Sequence, residues 1–296
     1  MLDKLEMFIA VAKEGHFGRA AQSLGITQPT LSTGLKQLED QLGVQLVFRG
    51  SRYGGLTPEG QTALVWARKI AGDARQLKEE MRFKRHGLSG RLRIAAIPTA
   101  LTWAAELAAI FTDKHPNVRF TILSRTSVEI LSMLDNLDVD AGISYLDNEP
   151  MGRVSTEPLY EERYLVVCSA SSPFAAKKSL RWQDLDGQKL CLLTPDMQNR
   201  RIINRNFESL GVTAEATIES NSTVVLLATI ARGDWLTVLP EDIARFLAEG
   251  KALKLIPLSG QTPEHTVGLV APYREPHTPV LEELLREARR LSAAKR

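Results

Sequence analysis

The sequence predicts an α+β multidomain chain: short helices in front, one long helix, then an α/β body in two lobes. Three observations predict it. Residues 1–57 set short apolar stripes at helical spacing between glycine and proline breaks. Residues 58–87 hold one uninterrupted helical pattern. From Gly90 the period changes, and short apolar strands alternate with helical runs to the end of the chain.

The front comes first. Leu2-Asp3-Lys4-Leu5 opens a helix with Leu5, Phe8, Ile9 and Ala12 on one side. Phe17, Ala20, Ala21 and Leu24 fall at i, i+3, i+4 and i+7, so a second short helix should bury that stripe. Gly25 follows, where a helix C-terminus favours a residue free to take positive φ. Thr27 suits an N-cap, and Pro29 the first turn, where a missing N–H costs nothing. Leu31, Leu35, Leu38 and Leu42 continue as a second buried stripe. Two short helices joined by a glycine-containing turn predict a helix-turn-helix. The outward face of the second helix carries Gln28, Thr30, Ser32, Thr33, Lys36 and Gln37, short polar side chains of the kind that read base edges. The stretch LVFRGSRYGGLTPEG reads as a β-hairpin, or wing, whose Arg49 and Arg52 would lie along phosphates.

The pattern F-x-x-A-A-x-x-L-x-x-T-Q-P-x-L-S-x-x-[IL]-x-x-L-E-x-x-L-G-V-x-L, followed by R…LTPEG, resembles the LysR-type transcriptional regulators. The match runs through residues 1–60 at close spacing. The resemblance implies a winged helix-turn-helix over 1–57 that binds double-stranded promoter DNA. Gln28, Pro29, Thr30, Ser32, Thr33 and Lys36 would meet the major groove, and Arg49 and Arg52 the backbone or minor groove. The family often has arginine where this chain has Thr33, and Gly34 sits inside the recognition helix at a cost of roughly 1 kcal/mol relative to alanine.

Thr57-Pro58-Glu59 opens the long helix with a capping threonine, a proline and an acid in the first turn. Ala63, Ala67, Ile70, Ala74, Leu77 and Met81 form a heptad seam within 58–87, and its alanines would let a partner helix approach closely. The linker is therefore expected to pair two chains as a homodimer, and the resemblance extends this to a homotetramer. Arg82-Phe83-Lys84-Arg85-His86-Gly87 ends the helix, basic and then glycine, and Leu88-Ser89-Gly90 makes a hinge.

The body, 88–296, begins as βαβαβ: strand Arg91–Ile97, helix about Ala100–Lys114, strand Val118–Ser124, helix Ser127–Leu134 and strand Ala141–Ser144. Arg163–Cys168 is a further strand. The alternation restarts at Lys189–Leu193 and continues through helix 198–210, strand 216–219, helix 223–232, strand 236–239 and helix 241–248. Strand 266–270 and helix 279–290 close the chain. Such alternation predicts mostly parallel sheets covered by helices. Periodicity alone allows two sequential domains. The resemblance implies a two-lobed effector domain of the type II periplasmic-binding-protein kind. Lobe I would span 88–163 and 267–296 and lobe II 164–266, with crossings near Arg163–Val166 and His265–Val267.

In open α/β sheets ligands sit beyond the strands' carboxyl ends, against helix N-termini that favour anions. Four such ends are polar: Pro98-Thr99-Ala100, Ser124-Arg125-Thr126-Ser127, Thr194 to Gln198, and Ser220 to Thr223. Thr99, Ala100, Thr126, Ser127, Thr194 and Asn221 are the candidate effector contacts, for a small anionic metabolite such as a carboxylate. N-capping is the competing use of each hydroxyl. Arg125 reads as a strand-end arginine, Arg200, Arg201 and Arg205 as a solvated helix face, and Trp103 and Tyr145 as core or pocket wall.

Hydrophobic content of 44% and charged content of 24% are those of an ordinary globular protein. The net charge of +2 hides 13 lysines and arginines against 9 acids in residues 1–87, a basic front on a near-neutral body. No apolar run is long enough to span a bilayer, and Met1–Lys4 leads straight into an amphipathic helix, so a cytoplasmic protein without membrane contact is expected. The sequence holds no G-x-S-x-G, H-E-x-x-H, P-loop or G-x-G-x-x-G after a strand, so no enzyme, metal or cofactor is expected. RNA polymerase is a further candidate partner. Two alternatives remain at this stage: a solute-binding protein or enzyme with merely structural N-terminal helices, and a thiol-based regulator using Cys168 and Cys191, which otherwise read as buried cytosolic thiols.

Overall fold

The computed structural model describes residues 1–48, 53–147, 152, 154–260, 264–273 and 276–295. They form two compact units. One is Met1–Gly87 with Asp135–Asp138 and His277–Pro279, and the other is Leu88–Leu134, Val139–Pro276 and Val280–Arg296.

The first unit opens with α1 (Leu2–Glu14), α2 (Phe17–Ser23) and α3 (Gln28–Leu42). Leu5, Phe8, Ala20, Ala21, Leu31, Leu35 and Leu38 share one core. Gly25 has φ +67°, the left-handed turn between α2 and α3. Two ends of the expected stripes lie outside this core: Leu24 is 38% and Leu42 45% exposed. Each sits in the last turn before a glycine, where the helix turns away from the core. Thr57 Oγ1 accepts from Gly60 N at 2.9 Å and donates to Gln45 O at 2.6 Å, fixing the start of α4 (Pro58–His86). The wing's base is present: Val47 bridges Leu56, and Phe48 N donates to Gly55 O at 3.1 Å. Arg49 and Arg52 lie outside the described residues.

The second unit starts with β1 (Gly90–Ala96), a 3₁₀ turn Pro98–Ala100, α5 (Leu101–Lys114), β2 (Val118–Ser124), α6 (Ser127–Asp135) and β3 (Ala141–Tyr145). Strands β4 (Val154–Glu162), β5 (Tyr164–Ser169), β6 (Leu180–Arg181) and β7 (Leu190–Leu193) follow. Then come α7 (Gln198–Ser209), β8 (Ala216–Ser220), α8 (Thr223–Ile230), β9 (Leu236–Pro240) and α9 (Glu241–Ala248). The chain closes with β10 (Leu253–Ser259), β11 (His265–Pro272) and α10 (Pro279–Lys295).

These make two sheets, ordered β2-β1-β3-β11-β4 and β6-β10-β5-β9-β7-β8. The chain leaves the five-stranded lobe at Arg163 and returns to it between Ser259 and His265. Neither sheet is as parallel as the alternation suggested. β11 runs antiparallel to both β3 and β4, and β5 antiparallel to both β9 and β10, because these are the strands on either side of the two crossings. Val166 and Cys168 of β5 face one apolar cluster, Leu165 and Val167 another, so this strand is buried on both faces and reads as a continuous apolar run. α10 returns to the five-stranded lobe: Glu287 pairs with Lys114 at 2.5 Å, and Ser292 Oγ donates to Leu159 O at 2.8 Å.

Candidate DNA-reading helix and effector cleft

Helix α3 is presented by its caps and by its buried side. Thr27 Oγ1 accepts from Thr30 N at 3.4 Å and shares a 2.8 Å hydrogen bond with the Thr30 hydroxyl. Leu31, Gly34, Leu35 and Leu38 face inward. Gly34 has a packing reason: a Cβ there would stand 2.3 Å from Met7 Sδ of α1. Gln28, Pro29, Thr30, Ser32, Thr33, Lys36 and Gln37 are all exposed, on a helix one turn of chain away from the wing. The arrangement is a helix with a polar rim available to a duplex groove.

On α4 the expected seam divides. Ala67 is fully buried and Ala63 partly buried against α4's own head, with Ala71 beside them. Ile70, Leu77 and Met81 stay 44%, 59% and 44% exposed, with Trp66 at 57%. Two of the six seam residues are therefore spent inside one chain, and three form an open apolar stripe.

Between the lobes of the second unit lies a narrow cavity, about 10 Å³ of free space at the radius of a water molecule. Ile97, Pro98, Thr99, Ser127 and Tyr145 line it from the five-stranded lobe, and Leu193, Met197, Gln198 and Asn199 from the six-stranded one. The N-termini of α6 and α7, at Ser127 and Gln198, both open on it. Among the described residues, Thr99 Oγ1, Gln198 Nε2 and both amide atoms of Asn199 are buried without a hydrogen-bond partner, and Thr194 Oγ1 is another such atom at the start of the same loop. Unpaired buried polar atoms are costly, on the order of 1–3 kcal/mol each, and several around one cavity suit it to polar company. Two bonds join the lobes nearby. Arg201 Nη2 reaches Ser127 Oγ at 3.4 Å, and Trp103 Nε1 donates to Asp242 Oδ2 at 2.7 Å.

The sequence-predicted contacts are thus sorted. Thr99 and Ser127 line the cavity, and Ala100 is buried core beside it. Thr126 is an N-cap: its hydroxyl donates to Glu129 Oε2 at 3.0 Å and accepts from Glu129 N at 3.2 Å. Asn221 is exposed after β8, an edge strand, and the structure does not bring it to the cavity. Arg200 was expected on a solvated face and is 6% exposed. Its Nη1 donates to Leu193 O at 2.7 Å and to Glu219 Oε1 at 2.8 Å, and these partners admit a buried guanidinium. Arg205 is exposed, and Arg125 turns back to Ser124 O at 2.7 Å. Trp103 is buried and stacks on Tyr160, centroids 4.9 Å apart. Gln198 closed a noted loop, but Asn199, Glu162 and Asp242 were missed. The signal for Asn199 was present as a second amide at a helix N-terminus on the side that should be apolar.

The thiols sit on β5 and β7, with β9 between them, and face different clusters. Two strand spacings, about 9.6 Å, exceed what a disulfide can span. Burial pushes Cys191 up to about 12 and raises Cys168 as well. Among the described residues no His, Cys, Asp and Glu group could hold a metal ion, and no helix is long and apolar enough to cross a membrane.

A helix-turn-helix head on a two-lobed, two-sheet α/β domain is the architecture of a DNA-binding transcriptional regulator with a substrate-binding domain. The chain belongs to the LysR family of bacterial transcriptional regulators: residues 2–61 match the lysR-family bacterial regulatory helix-turn-helix protein model, and residues 85–293 the LysR substrate binding domain. The DNA-binding transcriptional dual regulator OxyR of Escherichia coli K12 is 29% identical over 268 residues, 90% of this chain and 87% of that protein. The regulator XapR of the same strain is 27% identical, covering 82% of this chain and 83% of its own. Among solved structures, a substituted full-length OxyR from Pseudomonas aeruginosa superposes with a TM-score of 0.74 at 26% identity, over 98% of this chain and 97% of that one. Full-length CbnR, solved with its target DNA, shares the fold at a TM-score of 0.62 and 21% identity, over 98% of this chain and 99% of that one.

Proposed function

We propose that this regulator is controlled by a small anionic metabolite, such as a carboxylate, bound between the lobes. The observation that carries the reading is the ring of buried, unpartnered polar atoms at Thr99, Gln198 and Asn199, set where two helix N-termini converge. Helix N-termini favour negative charge, and amide N–H groups are donors suited to a carboxylate. The free space is too small for a metabolite, so the lobes must part to admit one. A ligand that binds one lobe arrangement better than the other shifts their balance. That shift would alter how paired subunits hold their DNA.

In the same reading, α3 lies in the major groove with Gln28, Pro29, Thr30, Ser32, Thr33 and Lys36 toward the bases, and Arg49 and Arg52 hold backbone or minor groove. Two chains pair through the open stripe of α4, two pairs make a tetramer, and the operator is an interrupted palindrome read in the cytoplasm, with RNA polymerase as a further partner. The names of several relatives, hydrogen peroxide-inducible genes activators, suggest a second reading, a thiol-based response. Cys168 and Cys191 oppose it, being buried, raised and out of reach of one another.

The test is a thermal-shift screen of small carboxylates, amines and sugars on the full chain. A ligand that binds only the folded state raises the melting point by mass action. Carboxylate hits are expected, and a neutral sugar as the sole hit would overturn the anion.

A further inference from the structure

One carboxyl is enclosed where the chain passes between the lobes. Glu162 ends β4, one residue before the crossing at Arg163, and is 2% exposed. The Tyr145 and Tyr164 hydroxyls donate to its Oε2 at 2.8 and 2.6 Å. Tyr145 ends β3 in the five-stranded sheet, and Tyr164 begins β5 in the six-stranded one, so the two donors belong to different lobes. In the β4–β11 ladder Glu162 is paired with His265, the first residue of the strand that returns across the second passage. Glu162 thus touches both passages and both lobes.

Its other oxygen, Oε1, is buried and has no hydrogen-bond partner among the described residues. The ionisable groups around it are Tyr145 at the end of β3, Asp147 just beyond, Tyr160 on its own strand, Tyr164 on β5, Asp242 at the start of α9, and His265 on β11, whose Nδ1 is 3.0 Å from Asp147 Oδ2. Three of these six neighbours are neutral phenols, and two are carboxyls that oppose a third negative charge. A buried carboxylate with one bare oxygen is unfavourable.

We propose that Glu162 is a proton-operated pin of the hinge: bringing the lobes together takes up a proton at this carboxyl, and losing that proton loosens them. When the lobes part, water can reach Oε1 and the carboxylate is solvated again. The direction of the titration agrees. Burial pushes Glu162 up to about 7, the hydroxyls of Tyr164 and Tyr145 hold it lower than it would otherwise be, and Asp147 and Asp242 push it up. A carboxyl raised in the joined arrangement above its solvated value favours that arrangement fully at acid pH. The preference falls by about tenfold per unit as pH rises above about 4.5 and is fully lost above about 7. The inference needs the two-lobed domain alone and is independent of the effector's charge.

The experiment uses the full chain without any effector. Hydrogen exchange is followed at the cavity-lining segments 97–103 and 194–201, from about pH 5.5 to about pH 8.5. The wild type is compared with Glu162→Gln at each pH, so that the intrinsic base catalysis of exchange cancels. The wild type should exchange faster than the variant by a ratio that climbs towards tenfold per unit from about pH 5.5 to neutrality and levels off above about 7. A ratio that stays constant with pH, including a variant uniformly looser than wild type, overturns the proposal. Tyr164→Phe keeps the carboxyl but removes one donor to its charged form, so the wild-type transition should move to higher pH. A transition that does not move overturns the proposal as well, even where Glu162→Gln fails to fold. A failed carboxylate screen touches neither result.

Discussion

Gly60 is held to glycine by one atom. A Cβ there would stand 2.0 Å from Leu46 O, a backbone carbonyl that cannot rotate aside. Gly60→Ala must therefore push α4 off the wing's base, and should lower stability by at least about 1–3 kcal/mol, the usual cost of overpacking. Urea denaturation of the full chain measures it. Gly34, by contrast, faces the flexible end of Met7, and alanine there should be milder. The reading side chains of α3 call for a different pair of substitutions. Thr33→Ala should relax base preference at one operator position by roughly 1–3 kcal/mol, and Arg52→Ala should weaken all sequences alike. Quantitative footprints on scrambled operators separate these outcomes, and the reverse pattern would contradict the roles. At this scale the sequence was most legible where local chemistry decides: Thr27, Thr57 and Gly25 do in the structure what their types predict. It was least legible at Arg200 and Glu162, whose burial depends on partners 19 and 17 residues away in the chain.

Elements were legible when their pattern was internal. The reading helix and the long linker follow from apolar spacing and caps, and most strands of the second unit from apolar runs. Three strands escaped: the two-residue β6, and two longer ones that each contain a proline. β4 reads VSTEPLYEE, polar and interrupted by Pro158, yet it is a sheet edge, where a missing N–H is tolerated. Pro158 stands opposite Gly268, where the β4–β11 register shifts. β10 carries Pro257 between two partners, and its identity as a strand comes from β5 alongside it. The linker shows the complementary limit: a heptad gives the spacing of a seam without saying which part of it the head will cover. Because Ile70 and Leu77 remain exposed in one chain, charging them should leave the fold intact. Ile70→Asp with Leu77→Asp should convert a dimer to monomer by sedimentation and sharply weaken operator binding. A dimer that survives both would move the pairing surface elsewhere.

At the scale of the molecule, the proposed effector site between the lobes would set stability against response. The hydroxyl of Thr99 is buried and unpaired in the resting protein. Thr99→Val keeps the shape and removes the unmet polar atom, so it should raise the melting point of the ligand-free chain, by up to about 1 kcal/mol of stability. The same substitution should abolish the further rise that an effector gives. A variant with an unchanged resting melting point and a full ligand response would place the guest elsewhere. This trade is what a binding site carved into a folded core should show, and it was only partly visible beforehand, because polar loop residues announce a site without showing which of them cap their own helices.

The order β2-β1-β3-β11-β4 has a consequence for how the protein is made. β11 lies between β3 and β4, and it leaves the ribosome only after the whole six-stranded sheet. Until residues 265–272 emerge, the five-stranded lobe has a gap in its middle. The helices of the head, α1 to α4, all lie within residues 2–86 and are made long before. On the proposed reading, a polypeptide cut short ahead of His265 would carry the operator-reading helices attached to a sensor that cannot close, and in a cell it would compete for promoters while deaf to the signal.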